Sequence, residues 1–197
     1  SKRTMARDIV RVAGSLGFDR FGLVGHDRGA LVGVRAGLDH PSAVLYLGIL
    51  DVLPTADSWE VLRGVDAKVA WHMYLMAQPS GLPEKMIRAV APEFFGSFLD
   101  AWDPDGSTFP PAVRQHYIDS SVDAVDSVVA DYRATAGVIS QDWGSQLGFD
   151  AASLWGAWAS DLTYEPIDAG HFMAEEKPKE IAQFITALSE RVEAEPR

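Results

Sequence analysis

Among the 197 residues there is no cysteine. Disulfides, thiolate metal sites and a cysteine nucleophile are therefore excluded. Positive charge is also scarce: 17 Lys and Arg stand against 28 Asp and Glu, for a net charge of −11. That balance argues against nucleic acid or an anionic membrane surface as a partner. No apolar run approaches the length of a bilayer span. The first ten residues, "SKRTMARDIV", have neither the apolar core of a signal peptide nor an initial Met. A cytoplasmic location is the expectation, and a chain without Met at its start can begin inside a longer one.

What is present has an α/β rhythm. Met5, Ile9, Val10, Val12 and Ala13 have helical spacing up to Gly17. "DRFGLVG" (19–25) reads as a short buried strand, and "RGALVGVRAGLDHP" (28–41) as a helix stopped by Pro41, with Gly29 and Gly33 allowing close packing. "AVLYLGILD" (43–51) is a continuous apolar run, as in a strand buried on both faces. From Thr55 to Ala136 the patterns are helical and no convincing strand is found. Residues 151–160 read as a short helix, 162–172 as containing a last short strand, and 178–195 as an amphipathic final helix with Ile181, Phe184, Ile185 and Leu188 on one stripe. Alternating helices and strands predict an α/β protein with a mainly parallel sheet.

Three segments carry candidate chemistry. "GLVGHDRGA" (22–30) sets Asp27 between Gly25 and Gly29 at a strand-to-helix corner. In a nucleophile elbow the turn is so tight that only small residues fit two positions either side of the nucleophile. The corner also places the side chain near a helix N-terminus, which favours an anion. "DAGHFMAEEKP" (168–178) offers His171 late in the chain, and "LGILDVLPT" (47–55) offers Asp51 at the end of an apolar strand. Sites of open α/β sheets gather at that strand edge. Asp142, Asp150 and Asp161 are alternative acids. Trp155 and Trp158, at helical spacing, read as core residues; His40 reads as a helix terminus, and His116 as part of the middle helical region.

Taken together, "GHDRGA", "LDVLPT", "WHMYLMAQP", "DYRATA" and "AGHFMAEEKP" resemble the fluoroacetate (haloacetate) dehalogenase branch of the α/β-hydrolases, which neighbours the epoxide hydrolases. The resemblance covers residues 5–137 and resumes over 151–190. It implies a partial α/β-hydrolase fold: core with elbow over 1–54, helical cap over 55–136, and C-terminal core with the catalytic histidine over 137–197. Asp27 matches the nucleophile, His171 the base that activates water and Asp51 the acid that orients it. Arg28 matches an arginine that holds the substrate carboxylate. His72 and Tyr132 match two groups that cradle the departing halide. The implied partner is a small-molecule substrate, with a homodimer as the one assembly considered and no cofactor or metal.

The pattern is broken at two pocket positions and in its extent. Leu31 stands where the defluorinating enzymes have a second arginine, and Met73 where they have a tryptophan. Methionine has no N–H to donate. The strands that precede the elbow, with their His-Gly loop, are not found, and 137–149 is short for the strand expected there. The chain thus reads as an N-terminally truncated or incomplete member. An epoxide hydrolase is the alternative enzyme, with Tyr74, Tyr117 and Tyr132 as candidate proton donors, and a degenerate binding scaffold is the alternative outside catalysis.

Overall fold

Helix α1 (Lys2–Ser15) opens the chain; the Ser1 side chain accepts from the Thr4 amide at its N-terminus. The computed structural model describes residues 1–103, 105–136 and 151–194. After α1 come strand β1 (Phe21–His26), helix α2 (Arg28–Asp39) and strand β2 (Val44–Leu50). The strands pair in parallel, with Leu23 opposite Leu47 and His26 opposite Leu50. A parallel pair needs a crossover, and α2 supplies it. Ala6, Val32 and Ala36 are buried between α1 and α2, with Ile9, Leu23 and Val44 packed against them. These elements fall within one or two residues of those read from the sequence.

The middle of the chain is helical throughout its described residues: α3 (Thr55–Val61), a 3-10 turn (Gly64–Lys68), α4 (Trp71–Met76), α5 (Leu82–Ala89), α6 (Ala91–Trp102), α7 (Pro111–Asp123) and α8 (Val125–Ala136). Prolines stand at the starts of three of these helices: α5, α6 and α7 each carry one in the first two positions, where the missing N–H costs nothing. A second apolar core forms here from Met76, Ile87, Ala91, Phe94, Val125 and Val129.

The C-terminal part contains α9 (Ala151–Gly156), α10 (Met173–Glu176) and α11 (Pro178–Ala194). The strand expected within 162–172 is not formed; the segment is irregular. A strand exists only as a pairing, and among the described residues β2 pairs with β1 alone. Pro166, in the middle of that segment, has no N–H to offer a ladder. Trp155 is buried as expected and its Nε1–H donates to the Val52 carbonyl at 3.0 Å, whereas Trp158 is 55% exposed and is not a core residue. The short-strand region 137–149, with Asp142, and Asp150 lie outside the described residues. None of the described helices is long and apolar enough to cross a membrane.

Candidate active site

Asp27 occupies the one-residue corner between β1 and α2, with φ 46° and ψ −123°. A non-glycine residue with positive φ is strained, and such residues cluster at functional sites. The strain is held by main-chain bonds: the Asp27 N–H donates to the Leu50 carbonyl at 3.0 Å, and the Ala30 N–H donates to the Asp27 carbonyl at 3.0 Å. The two flanking glycines differ in what they are for. A Cβ on Gly25 would lie 2.5 Å from the Ala30 nitrogen, so the corner forbids one. A Cβ on Gly29 would meet nothing within 4 Å, so its smallness is not a steric need in this chain. The Asp27 carboxylate makes no capping bond to α2. It is left facing a cavity.

Asp51 follows β2 as Asp27 follows β1, and it too has positive φ, 43°. Its Oδ2 accepts from His171 Nδ1 at 2.5 Å, across 120 residues of sequence. Asp161, the alternative acid that is described, pairs instead with Arg191. His171 hangs from the irregular stretch before α10. Its ring lies 4.4 Å from that of Trp102 and 4.7 Å from that of His26. His26, Asp51 and His171 are also, among the described residues, the one grouping with ligand atoms close enough for a metal ion, within 4.8 Å of one another.

Arg28 is engaged more fully than its motif position suggests. Its Nε and Nη2 both point at Asp131 Oδ2, each at 2.7 Å, and Nη2 also donates to Thr135 Oγ1 at 2.8 Å. The guanidinium carbon stands 3.6 Å over the Tyr132 ring, a cation–π geometry. Lys2 completes the cluster, donating to Asp131 Oδ2 at 2.8 Å and to the Arg28 carbonyl at 3.1 Å. Burial would raise the Asp131 pKa, but the two cations outweigh it and hold the carboxyl below its usual range. Burial and the neighbouring Arg28 charge lower the Lys2 pKa.

His72 is buried, 8% exposed, among the rings of Trp71, Phe98, Trp102 and Tyr132. Desolvation pushes its pKa down to about 4, so it is neutral at pH 7. Its Nδ1 has no partner. Tyr132 is pushed up to about 12, first by burial and then by the Asp27 charge, and keeps its phenolic proton.

All six residues singled out in the sequence (Asp27, Arg28, Asp51, His72, Tyr132 and His171) line one cavity of about 730 Å³. Leu31 and Met73 line it as well, so both departures from the dehalogenase pattern face the same space. Of the three tyrosines, only Tyr132 lies on it; Tyr74 donates to the Leu62 carbonyl and Tyr117 to Glu175. Sequence reasoning missed Trp102, His26, Lys2 and the Asp131–Thr135 pair. A signal existed for the last: "DYRAT" puts an acid and a hydroxyl four residues apart, on one helix face.

No family model matches the chain. A fluoroacetate dehalogenase from a Burkholderia species is 31% identical over 94% of this chain and 68% of its own length. The chain belongs to the fluoroacetate dehalogenase and epoxide hydrolase branch of the α/β-hydrolases. Part of this branch member, 27% of the chain, is also 42% identical to a soluble epoxide hydrolase of Corynebacterium sp. strain C12. Among solved structures, a candidate epoxide hydrolase from Pseudomonas aeruginosa superposes with a TM-score of 0.87 at 30% identity, over 98% of this chain and 72% of that one. A candidate α/β-hydrolase from Nostoc sp. PCC 7120 gives 0.83 at 33% identity, over 94% and 71%. This branch member is thus a hydrolase with a partial α/β-hydrolase fold: a small parallel sheet in a largely helical chain.

Proposed function

We propose that the protein cleaves the carbon–halogen bond of a small haloacid through a covalent ester on Asp27. The observation that carries this reading is the free Asp27 carboxylate at a strained elbow, facing the same cavity as a His171–Asp51 pair. A serine must lose its proton before it attacks, whereas a carboxylate is ionised at neutral pH and can displace a leaving group from saturated carbon. In the first step an Asp27 oxygen bonds to the substrate carbon, and the halide leaves with the C–X electron pair. In the second, His171 Nε2 takes a proton from water as the water oxygen attacks the ester carbonyl carbon. The acyl C–O bond then breaks, the alkoxide leaves as the alcohol with the proton His171 holds, and Asp27, now carrying the water oxygen, releases the second water proton to solvent as it returns to the carboxylate. Asp51 fixes the histidine tautomer and stabilises the imidazolium. Arg28 presents its remaining N–H edge to the substrate carboxylate, and His72 and Tyr132 donate to the departing halide, as preorganised donors do toward developing charge.

Leu31 and Met73 shape the specificity. With one arginine instead of two, the carboxylate is held from one side only, and an apolar wall faces the rest of the substrate. Haloacids with an alkyl branch suit this wall better than fluoroacetate. The epoxide reading has one tyrosine on the cavity of the three considered, against the two proton donors that ring opening uses.

The test is product analysis on a panel of 2-halopropanoates, haloacetates and epoxides, with Asp27→Asn as control. Halide release that depends on Asp27 supports the proposal. Diol formation without halide release replaces it with the epoxide reading, and no product from any substrate favours a binding scaffold. Leu31→Arg should raise kcat/KM on haloacetates by about tenfold, the value of one added charge-assisted contact; no change would mean that the carboxylate is held elsewhere.

A further inference from the structure

We propose that His26, the residue before the nucleophile, is a positioning residue for the ester-hydrolysis step: its Nε2–H holds the main-chain carbonyl of His171 and so fixes where the base hangs. His26 Nε2 lies 2.8 Å from the His171 carbonyl oxygen. A carbonyl can only accept, so Nε2 carries the proton. The need for such a hold follows from the local structure. His171 comes after an irregular stretch with no strand to carry it. Its neighbour Gly170 is tied by its N–H to Glu176 Oε2 at 2.7 Å, and its ring is tied to Asp51. The Asp51 bond sets the ring but not the main chain from which the ring swings. The His26 bond supplies that missing constraint.

The two grips on His171 come from adjacent places. His26 ends β1 and pairs with Leu50, and Asp51 follows Leu50 directly. The sheet register therefore sets the distance between the grip on the backbone and the grip on the ring. Asp27 follows His26, so nucleophile and base are referenced to one strand end. The Michaelis complex and halide displacement do not need the base, whereas water attack does. This inference rests on the proposed covalent mechanism, and it makes a split between the two half-reactions its signature.

The variants separate the hydrogen bond from the packing. His26→Gln keeps an N–H donor at the Nε2 position and loses the ring, while His26→Phe keeps a ring beside His171, where the rings are 4.7 Å apart, and loses the donor. Rapid-quench kinetics with bromoacetate, reading bromide release and the mass of the Asp27 peptide, follow each half-reaction. In His26→Phe the bromide burst should keep its rate while ester hydrolysis slows about a hundredfold, the cost of displacing a catalytic group by roughly 1 Å. His26→Gln should stay within about threefold of the parent. The inference is overturned if Phe hydrolyses the ester normally, if Gln fails as Phe does, or if ester formation slows instead. His171→Gln is the control for the mechanism itself, since an ester that never accumulates there removes the covalent reading and not the tether. Hydrogen exchange over residues 168–172 reads the tether without any substrate: it should quicken in Phe and not in Gln, and unchanged exchange in Phe refutes the tether outright.

Discussion

Burial decides the protonation state of His72, and this gives a pH signature. The unfolded chain takes up a proton there near pH 6.5, the folded protein only near pH 4. Between those values the unfolded state binds more protons, so stability falls as the pH is lowered, is fully present above about 6.5, and is lost no further below about 4. From pH 7 to pH 5 the single group contributes a loss of about 2 kcal/mol. Urea midpoints should show that loss in the parent and not in His72→Gln; parallel pH dependences in the two would refute the burial argument. At this scale the sequence was readable where a residue sits in a motif. The motifs singled out Asp27, Asp51, His171, Arg28, His72 and Tyr132, and these six side chains meet on one cavity. What surrounds Arg28 was not readable, because Lys2 and Asp131 lie 26 and 103 residues from it and no local rule joins them.

The elbow is an element, and its two glycines give opposite expectations. Gly25→Ala puts a methyl 2.5 Å from the Ala30 nitrogen and 2.6 Å from its Cα, both main-chain atoms that cannot step aside without opening the corner. A loss of about 2 kcal/mol or more follows. Gly29→Ala meets open space inside α2 and should raise stability by about 0.5–1 kcal/mol through the unfolded chain and helix propensity. Thermal unfolding of the pair checks this: equal losses would mean that the turn is not held as described. The "small, two away on each side" rule is met by the sequence on both sides, while its steric reason applies on one side only. The failed strand over 162–172 has a different origin. A segment can be able to form a strand, but pairing depends on a neighbour, and no neighbouring strand is present there among the described residues.

At the scale of the whole molecule, two apolar cores are joined by polar and aromatic ties. One core is built on Ala6, Val32 and Ala36, the other on Met76, Ile87, Phe94 and Val129. Asp131 of α8 links them by accepting from Lys2 of α1 and Arg28 of α2. Tyr117 of α7 donates to Glu175 of α10, and Phe109 meets Phe172 at 4.7 Å. Removing Asp131 leaves two cations facing each other, with Lys2 and Arg28 side chains only 13% and 17% exposed. Breaking a buried ion pair from one side costs about 3–5 kcal/mol, and partial exposure here reduces that to about 2 kcal/mol. Asp131→Ala should lose about that much in chemical denaturation, and Lys2→Met on the same background should restore part of it. No recovery would mean that the two cations do not oppose each other. The parallel α/β rhythm and the helical middle were legible from periodicity, whereas these ties are products of tertiary folding.

The proposed reaction turns on an Asp27 ester whose carbonyl carbon is attacked by water. A single turnover in ¹⁸O water, followed by mass analysis of the peptide containing Asp27, shows which carbon the water attacks. One ¹⁸O is expected in the Asp27 side chain and none in the product alcohol of that first turnover. Label in the product with an unlabelled Asp27 peptide would contradict it, since water would then have attacked the substrate itself.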